Sequence, residues 1–116
     1  MSIENEITAF LNIFKTKLEI WGIYFLDERG KNFQTLLDLE ITSEYRKNVL
    51  RELKNEDYSQ GPLVDKLYGK ASMWVFGKEV KGKEIYIKIT LGKPGTNVIC
   101  ISFHTSEHLM KYPLKN

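Results

Sequence analysis

The stretch EIYIKITLGKPGTNVICISFH, Glu84 to His104, leaves few folds open to this chain. Ile85, Ile87, Ile89 and Leu91 alternate with Glu84, Tyr86, Lys88 and Thr90. A period of two marks a strand buried on one face only. Beyond the loop GKPGT, the run NVICISFH reads as a second strand. If Leu91 and Asn97 flank that loop, Ile89 faces Ile99, Ile87 faces Ile101 and Ile85 faces Phe103. All apolar partners then share a face, as a correct register requires. The opposite face pairs Lys88 with Cys100, Tyr86 with Ser102 and Glu84 with His104.

A third strand precedes these two. SMWVFGKEV turns at Lys81-Gly82 into EIYIKITL, which completes a three-strand meander. A two-residue turn puts Trp74 and Phe76 on the isoleucine face. A turn with Gly82 as a bulge residue puts them beside Tyr86 and Lys88 instead, with Lys78 in company. Both registers are open to the sequence.

The first half of the chain is helical in character. Ile3, Ile7, Phe10, Leu11, Phe14 and Leu18 recur at helical spacing, and Ser2 can cap the first turn. Aromatic and β-branched residues from Ile20 to Leu26 suggest a strand that closes at Gly30. Two short helices are expected next. NFQTLLDLE has Asn32 as its cap and Phe33, Leu36 and Leu37 as its buried stripe. SEYRKNVLRELK buries Tyr45, Val49, Leu50 and Leu53, with Arg46, Lys47 and Arg51 on a wet face. Residues 55–72 lack periodicity and read as the main loop. Helices first and antiparallel strands later make an α+β fold, with N-terminal helices packed on a mainly antiparallel sheet.

At 116 residues, the chain suits a single domain spanning residues 1–116. A hydrophobic fraction of 42% supports a real core. No apolar run approaches the roughly 18–20 residues that span a bilayer. MSIENEITAF lacks the basic and apolar regions of a secretory signal, and Cys100 is the only cysteine. A soluble cytoplasmic protein without membrane association is expected. The net charge of +2 is too mild to establish nucleic-acid binding. The segment Lys66–Lys93 nevertheless carries seven lysines against two acids, about +5, which suits phosphates as well as a solvated sheet face.

The meander face bearing Tyr86, Lys88 and His104 has the parts for RNA cleavage. Attack by a ribose 2′-hydroxyl on its own phosphate needs a base, an acid for the leaving 5′-oxygen, and a cation for the phosphorane charge. Histidine as a residue type exchanges protons near neutral pH, tyrosine donates or positions, and lysine supplies charge. Neither a metal nor a cofactor is required. An ordinary exposed sheet face would also carry such residues. His104 and His108 stand four apart, yet no third metal ligand has suitable spacing. Cys100 reads as a packing residue, Ser102 lacks a nucleophile elbow, and GKPGTN lacks the spacing of a phosphate loop.

At these residues the chain resembles a known family. DYSQGPLVDKLYGKASMWVFGKEVKGKEIYIKIT followed by VICISFH is similar to toxins of the motility quorum-sensing regulator type, a branch of the RelE-like bacterial mRNA interferases. The similarity covers most of the chain in order. It implies a RelE-like sheet and a type II toxin, an endoribonuclease acting on mRNA without metal and neutralised by a cognate antitoxin protein. The family's catalytic tyrosine falls on Tyr86, and its basic residue after S-F falls on His104, where lysine is commoner. Ser59 and Gln60 stand where the family has a lysine, and Val75 where it has a glutamine. Lys88, or Lys78, would then supply the missing charge. Tyr58, Tyr68 and Tyr112 could stack single-stranded bases or belong to the core. The rival expectation is a catalytically inactive protein-binding module with the same fold.

Overall fold

Lys81 and Gly82 both hold positive φ, 50° and 81°, and Val80 pairs directly with Lys83 across them. This is a two-residue hairpin turn whose twist matches that of its strands. It settles the register left open above: Trp74 faces Ile89 and Phe76 faces Ile87, so the aromatics join the isoleucine face. The computed structural model describes residues 2–28, 30–64 and 72–115. Its elements are helix α1 (Ile3–Trp21), strand β1 (Ile23–Phe25), helices α2 (Gly30–Leu39) and α3 (Ser43–Arg51), a 3-10 turn (Asn55–Asp57), and strands β2 (Tyr58–Val64), β3 (Ser72–Val80), β4 (Lys83–Thr90) and β5 (Val98–Thr105). The fold is α+β, as expected. Its five-stranded sheet runs β1-β5-β4-β3-β2, with β1 parallel to β5 and the other pairs antiparallel. Among the described residues, no helix is long and apolar enough to cross a membrane.

Strand β2 corrects the expectation of a loop over residues 55–72 as far as Val64, and residues 65–71 lie outside the described residues. Gly61 and Pro62 interrupt it, and its pairing with β3 shifts twice, which erases any alternation from the sequence. The helix α1 also runs further than expected, to Trp21, and leaves β1 only three residues.

The isoleucine face forms the core. Trp74, Phe76, Ile85, Ile87, Ile89, Val98, Cys100 and Phe103 share one cluster with Ile7, Phe10, Leu11, Phe14 and Leu18 of α1 and Val49 and Leu50 of α3. The ring of Phe10 stacks on Trp74 at 5.0 Å. Each such side chain contributes roughly 1.5–3 kcal/mol by leaving water. The hydroxyl of Ser2 caps α1 by accepting from the Asn5 amide, as expected.

The β4–β5 pairing differs from expectation. Ile85 pairs with Thr105, Tyr86 with His104, Ile87 with Phe103 and Lys88 with Ser102; the register then slips, and Ile89 pairs with Cys100. A two-residue shift preserves each strand's faces, so Tyr86, Lys88, Ser102 and His104 still share one side. Ile101 is the bulged residue, and beyond it Cys100 turns to the core instead of facing Lys88. The cause lies in the loop. It runs from Leu91 to Asn97, longer than GKPGT alone, and the Lys17 ammonium pins it by donating to the carbonyls of Leu91 (2.6 Å) and Lys93 (2.8 Å).

Helices α2 and α3 turn faces that the apolar pattern did not foresee. Phe33 and Leu37 are 54% and 56% exposed, while Asn32 and Thr35 are buried. Strand β1 pairs only with residues 98–100 of β5, so the rest of that edge needs partners. The Asn32 amide donates to the carbonyls of Leu26 (2.9 Å) and Ile101 (3.0 Å), and its Oδ1 accepts from the Phe103 amide (3.0 Å). The hydroxyl of Thr35 accepts from the Thr105 amide. Polar residues therefore face inward to complete a sheet edge. In α3, Tyr45 is exposed and Arg46 is wholly buried. Its guanidinium donates to both carboxylate oxygens of Asp27 (2.7 and 2.8 Å) and to the Ser43 hydroxyl, and lies 3.7 Å over the Phe25 ring.

Candidate functional site

The second face of the sheet is crossed at one end by the C-terminal segment. The Ser106 amide donates to the Glu84 carbonyl (2.8 Å). One Glu84 carboxylate oxygen accepts from the Met110 amide (3.3 Å) and the other from the Tyr112 hydroxyl (2.8 Å). Tyr112 fits there because Gly77 lacks a side chain; a Cβ at that position would lie 2.1 Å from its hydroxyl. Burial, followed by the bond to Glu84 and its charge, raises the Tyr112 phenol well above the usual tyrosine range.

The rest of this face is the floor of an open groove of about 920 Å3. Tyr86, Lys88, Ser102 and His104 form the floor. The start of α2 (Gly30, Lys31 and Asn32), Ser59 and Gln60 of β2, and residues 106–111 form the walls. Tyr86 and His104 face each other across the β4–β5 ladder, and their rings stack with centroids 5.3 Å apart and planes 15° apart. Both are half-buried. The ammonium of Lys88 lies 5.9 Å from the Tyr86 ring centroid. Burial raises the Tyr86 phenol, so it holds its proton and serves as a hydrogen-bond donor.

The His104 ring carries its own orientation signal. Its Nδ1 lies 3.0 Å from the Thr105 carbonyl oxygen. A carbonyl only accepts, so the bond assigns the neutral ring's proton to Nδ1 and leaves a lone pair on Nε2. Among the described residues lining the groove, Lys31, Lys88 and Lys111 stand against one carboxylate, Glu107. That carboxylate pairs with Lys31 at 2.5 Å, which holds it below the ordinary range. The balance of charge suits an anion.

Two expected RNA-binding residues lie elsewhere. Lys78 sits on the core side of β3, opposite Ile85, and its ammonium pairs with Asp57 at 3.0 Å. It does not reach the groove of Tyr86 because the two-residue turn put it on the other face. Tyr58 is buried against Trp74 and Phe76, and its hydroxyl donates to the Gly61 carbonyl. Tyr68 lies outside the described residues. Lys31, Glu107, His108 and Lys111 line the groove without having been singled out as contacts there. The sequence suggests the segment Ser59–Lys70 as one wall; Ser59 and Gln60 do line the groove, and residues 65–70 lie outside the described residues. Cys100 is completely buried, and burial pushes its thiol up to about 12, which suits a packing role. Among the described residues, no three His, Cys, Asp or Glu side chains gather in a way that could hold a metal ion.

Compared with known proteins, the sequence matches no protein-family model, no curated protein and no solved structure. The likeness to the quorum-sensing-regulator toxins is carried by the quoted residues alone.

Proposed function

We propose that the groove cleaves single-stranded RNA and that the chain is a RelE-like endoribonuclease toxin restrained by an antitoxin protein. The observation that carries this reading is the stacked Tyr86–His104 pair on an open, cation-lined face. His104 takes the 2′-hydroxyl proton through Nε2, whose lone pair the Thr105 bond leaves available. The Tyr86 hydroxyl donates to a phosphate oxygen, and Lys88 offsets the charge that grows on the phosphorane. The nucleophile belongs to the substrate, so side chains suffice for the chemistry.

The test is incubation of the purified protein with a mixed RNA pool in a chelating buffer. Fragments ending in 2′,3′-cyclic phosphate are expected, together with their loss in a folded His104→Ala variant. Induction in bacteria should arrest growth. Intact RNA under these conditions would overturn the reading.

A second reading draws on two other observations. Uncharged Ser59 and Gln60 stand in the groove wall where the resembling toxins carry a lysine, and Val75, at their glutamine position, is wholly buried. On this reading, the chain is an inactive binding module that docks an anionic partner in the same groove. RNA retention without cleavage is its expected signature.

A further inference from the structure

The ladder of β4 and β5 supplies a base and a phosphate donor, but a proton for the departing 5′-oxygen has no evident source. The Tyr86 hydroxyl is already assigned to a phosphate oxygen, which leaves the leaving-group proton to another side chain. A second imidazole lines the same groove. His108 lies on the C-terminal segment, whose path is fixed on both sides of it. Before it, the Ser106 amide bonds to the Glu84 carbonyl and the Ser106 hydroxyl to the His108 carbonyl itself (2.5 Å). After it, the Met110 amide bonds to the Glu84 carboxylate. The backbone of His108 is thus tethered to the start of β4, two residues from Tyr86. Its imidazole makes no hydrogen bond to a described residue.

Among the described residues, the charged groups that line the groove with His108 come from three elements. Glu107, its neighbour in the chain, lies near enough to interact with both His104 and His108, and is itself engaged by Lys31 of α2. Lys88 of β4 and Lys111 of the same segment line the same groove.

We infer that His108 is the general acid of the groove, a second catalytic residue opposite His104; this rests on the RNA-cleaving reading above. In the step, the 2′-hydroxyl proton passes to His104 Nε2 while the 2′-oxygen bonds to phosphorus. The bond from phosphorus to the 5′-oxygen breaks, and the imidazolium of His108 gives that oxygen its proton. The products are a 2′,3′-cyclic phosphate and a free 5′-hydroxyl, and the two imidazoles exchange protonation states.

A substrate with a leaving group that needs no proton isolates the role. Wild type, His108→Ala and His104→Ala are assayed on RNA and on a nucleoside 3′-(p-nitrophenyl phosphate), whose phenolate departs unaided. His108→Ala is expected to lose about 10²–10³-fold on RNA and less than about 10-fold on the nitrophenyl ester. His104→Ala should lose on both. A His108→Ala variant that cuts RNA at the wild-type rate, or that loses equally on both substrates, overturns the acid role and leaves the RNA-cleaving reading standing. A wild type inert towards both substrates overturns both. Thermal melting of each variant separates misfolding from chemistry.

Discussion

The imidazole of His104 lies nearly parallel to the phenol ring of Tyr86, with 5.3 Å between centroids, because Tyr86 pairs directly with His104 in the sheet. The stack fixes both rings without using the polar atoms of either. It also separates two roles that one substitution would confuse. Tyr86→Phe keeps the ring and removes the hydroxyl; its cleavage rate should fall about 10²-fold, the usual effect of removing one donor to a developing anion, with melting nearly unchanged. Tyr86→Ala should add a stability loss of about 1 kcal/mol from the lost ring contact. Equal rates for wild type and Tyr86→Phe would remove the hydroxyl from the mechanism.

The Arg46–Asp27 pair predicts an asymmetry. Arg46 is wholly buried, two of its nitrogens are satisfied by Asp27 and Ser43, and its Nε has no partner among the described residues. Removing the carboxylate strands a buried cation, whereas removing the cation leaves a carboxylate that still reaches water at the surface. Asp27→Ala should therefore cost about 3 kcal/mol in urea denaturation, and Arg46→Met, which retains much of the volume against Phe25, about 1 kcal/mol. The reverse order would mean that packing against the aromatic rings, not charge pairing, is what Arg46 supplies.

Where the sequence was legible, the reason is local. The alternation of Glu84–Thr90 reports a one-sided strand, and the same-face placement of Tyr86, Lys88, Ser102 and His104 survives the two-residue error in register because parity survives it. The periodic stripe of α1 is equally plain. What escaped depends on distant partners. The bulge at Ile101 answers to a loop held by Lys17, which lies in another element. The inward turn of Asn32 answers to bare backbone on β5 beyond the short β1. A reading that sends apolar residues inside cannot foresee an amide needed at an edge, nor an arginine that completes its fork with Asp27. The wall formed by residues 106–111 comes from a segment with no periodicity, so the floor and the Ser59–Gln60 side could be read in advance and that wall could not.

Asn32 should be hard to replace, and its two ends can be told apart. Aspartate keeps the oxygen that accepts from Phe103 but turns a carboxylate toward the carbonyls of Leu26 and Ile101. Asn32→Asp is expected to lose about 2–4 kcal/mol at neutral pH, from two unmet acceptors and a repelled, buried charge. The repulsion raises the folded-state carboxyl above its unfolded value of about 4. The defect should therefore be smallest below that pH and grow as pH rises through the folded value. Denaturation curves at acid and neutral pH measure this, and a pH-independent defect would rule out the repulsion.

The latch between Tyr112 and Glu84 should be visible at alkaline pH. Burial and the bond to Glu84 raise the Tyr112 phenol above its unfolded value of about 10. For a raised group, the stabilisation is whole below the unfolded value and disappears as pH climbs through the folded one. Tyr112→Phe forfeits the hydrogen bond, worth about 1 kcal/mol, at every pH where the phenol is protonated. It also forfeits the alkaline penalty. The melting-temperature gap between wild type and Tyr112→Phe should accordingly be constant below about pH 10 and narrow above it. Tyr58 and Tyr86 are raised as well, so both proteins soften in base, and the gap is the quantity that reports on Tyr112. Gly77→Ala supplies the independent check: its methyl group collides with the Tyr112 hydroxyl and should reproduce the loss at neutral pH, but should cost far less in a chain already carrying Tyr112→Ala. Additive effects of the two changes would show that Gly77 does not make room for the latch.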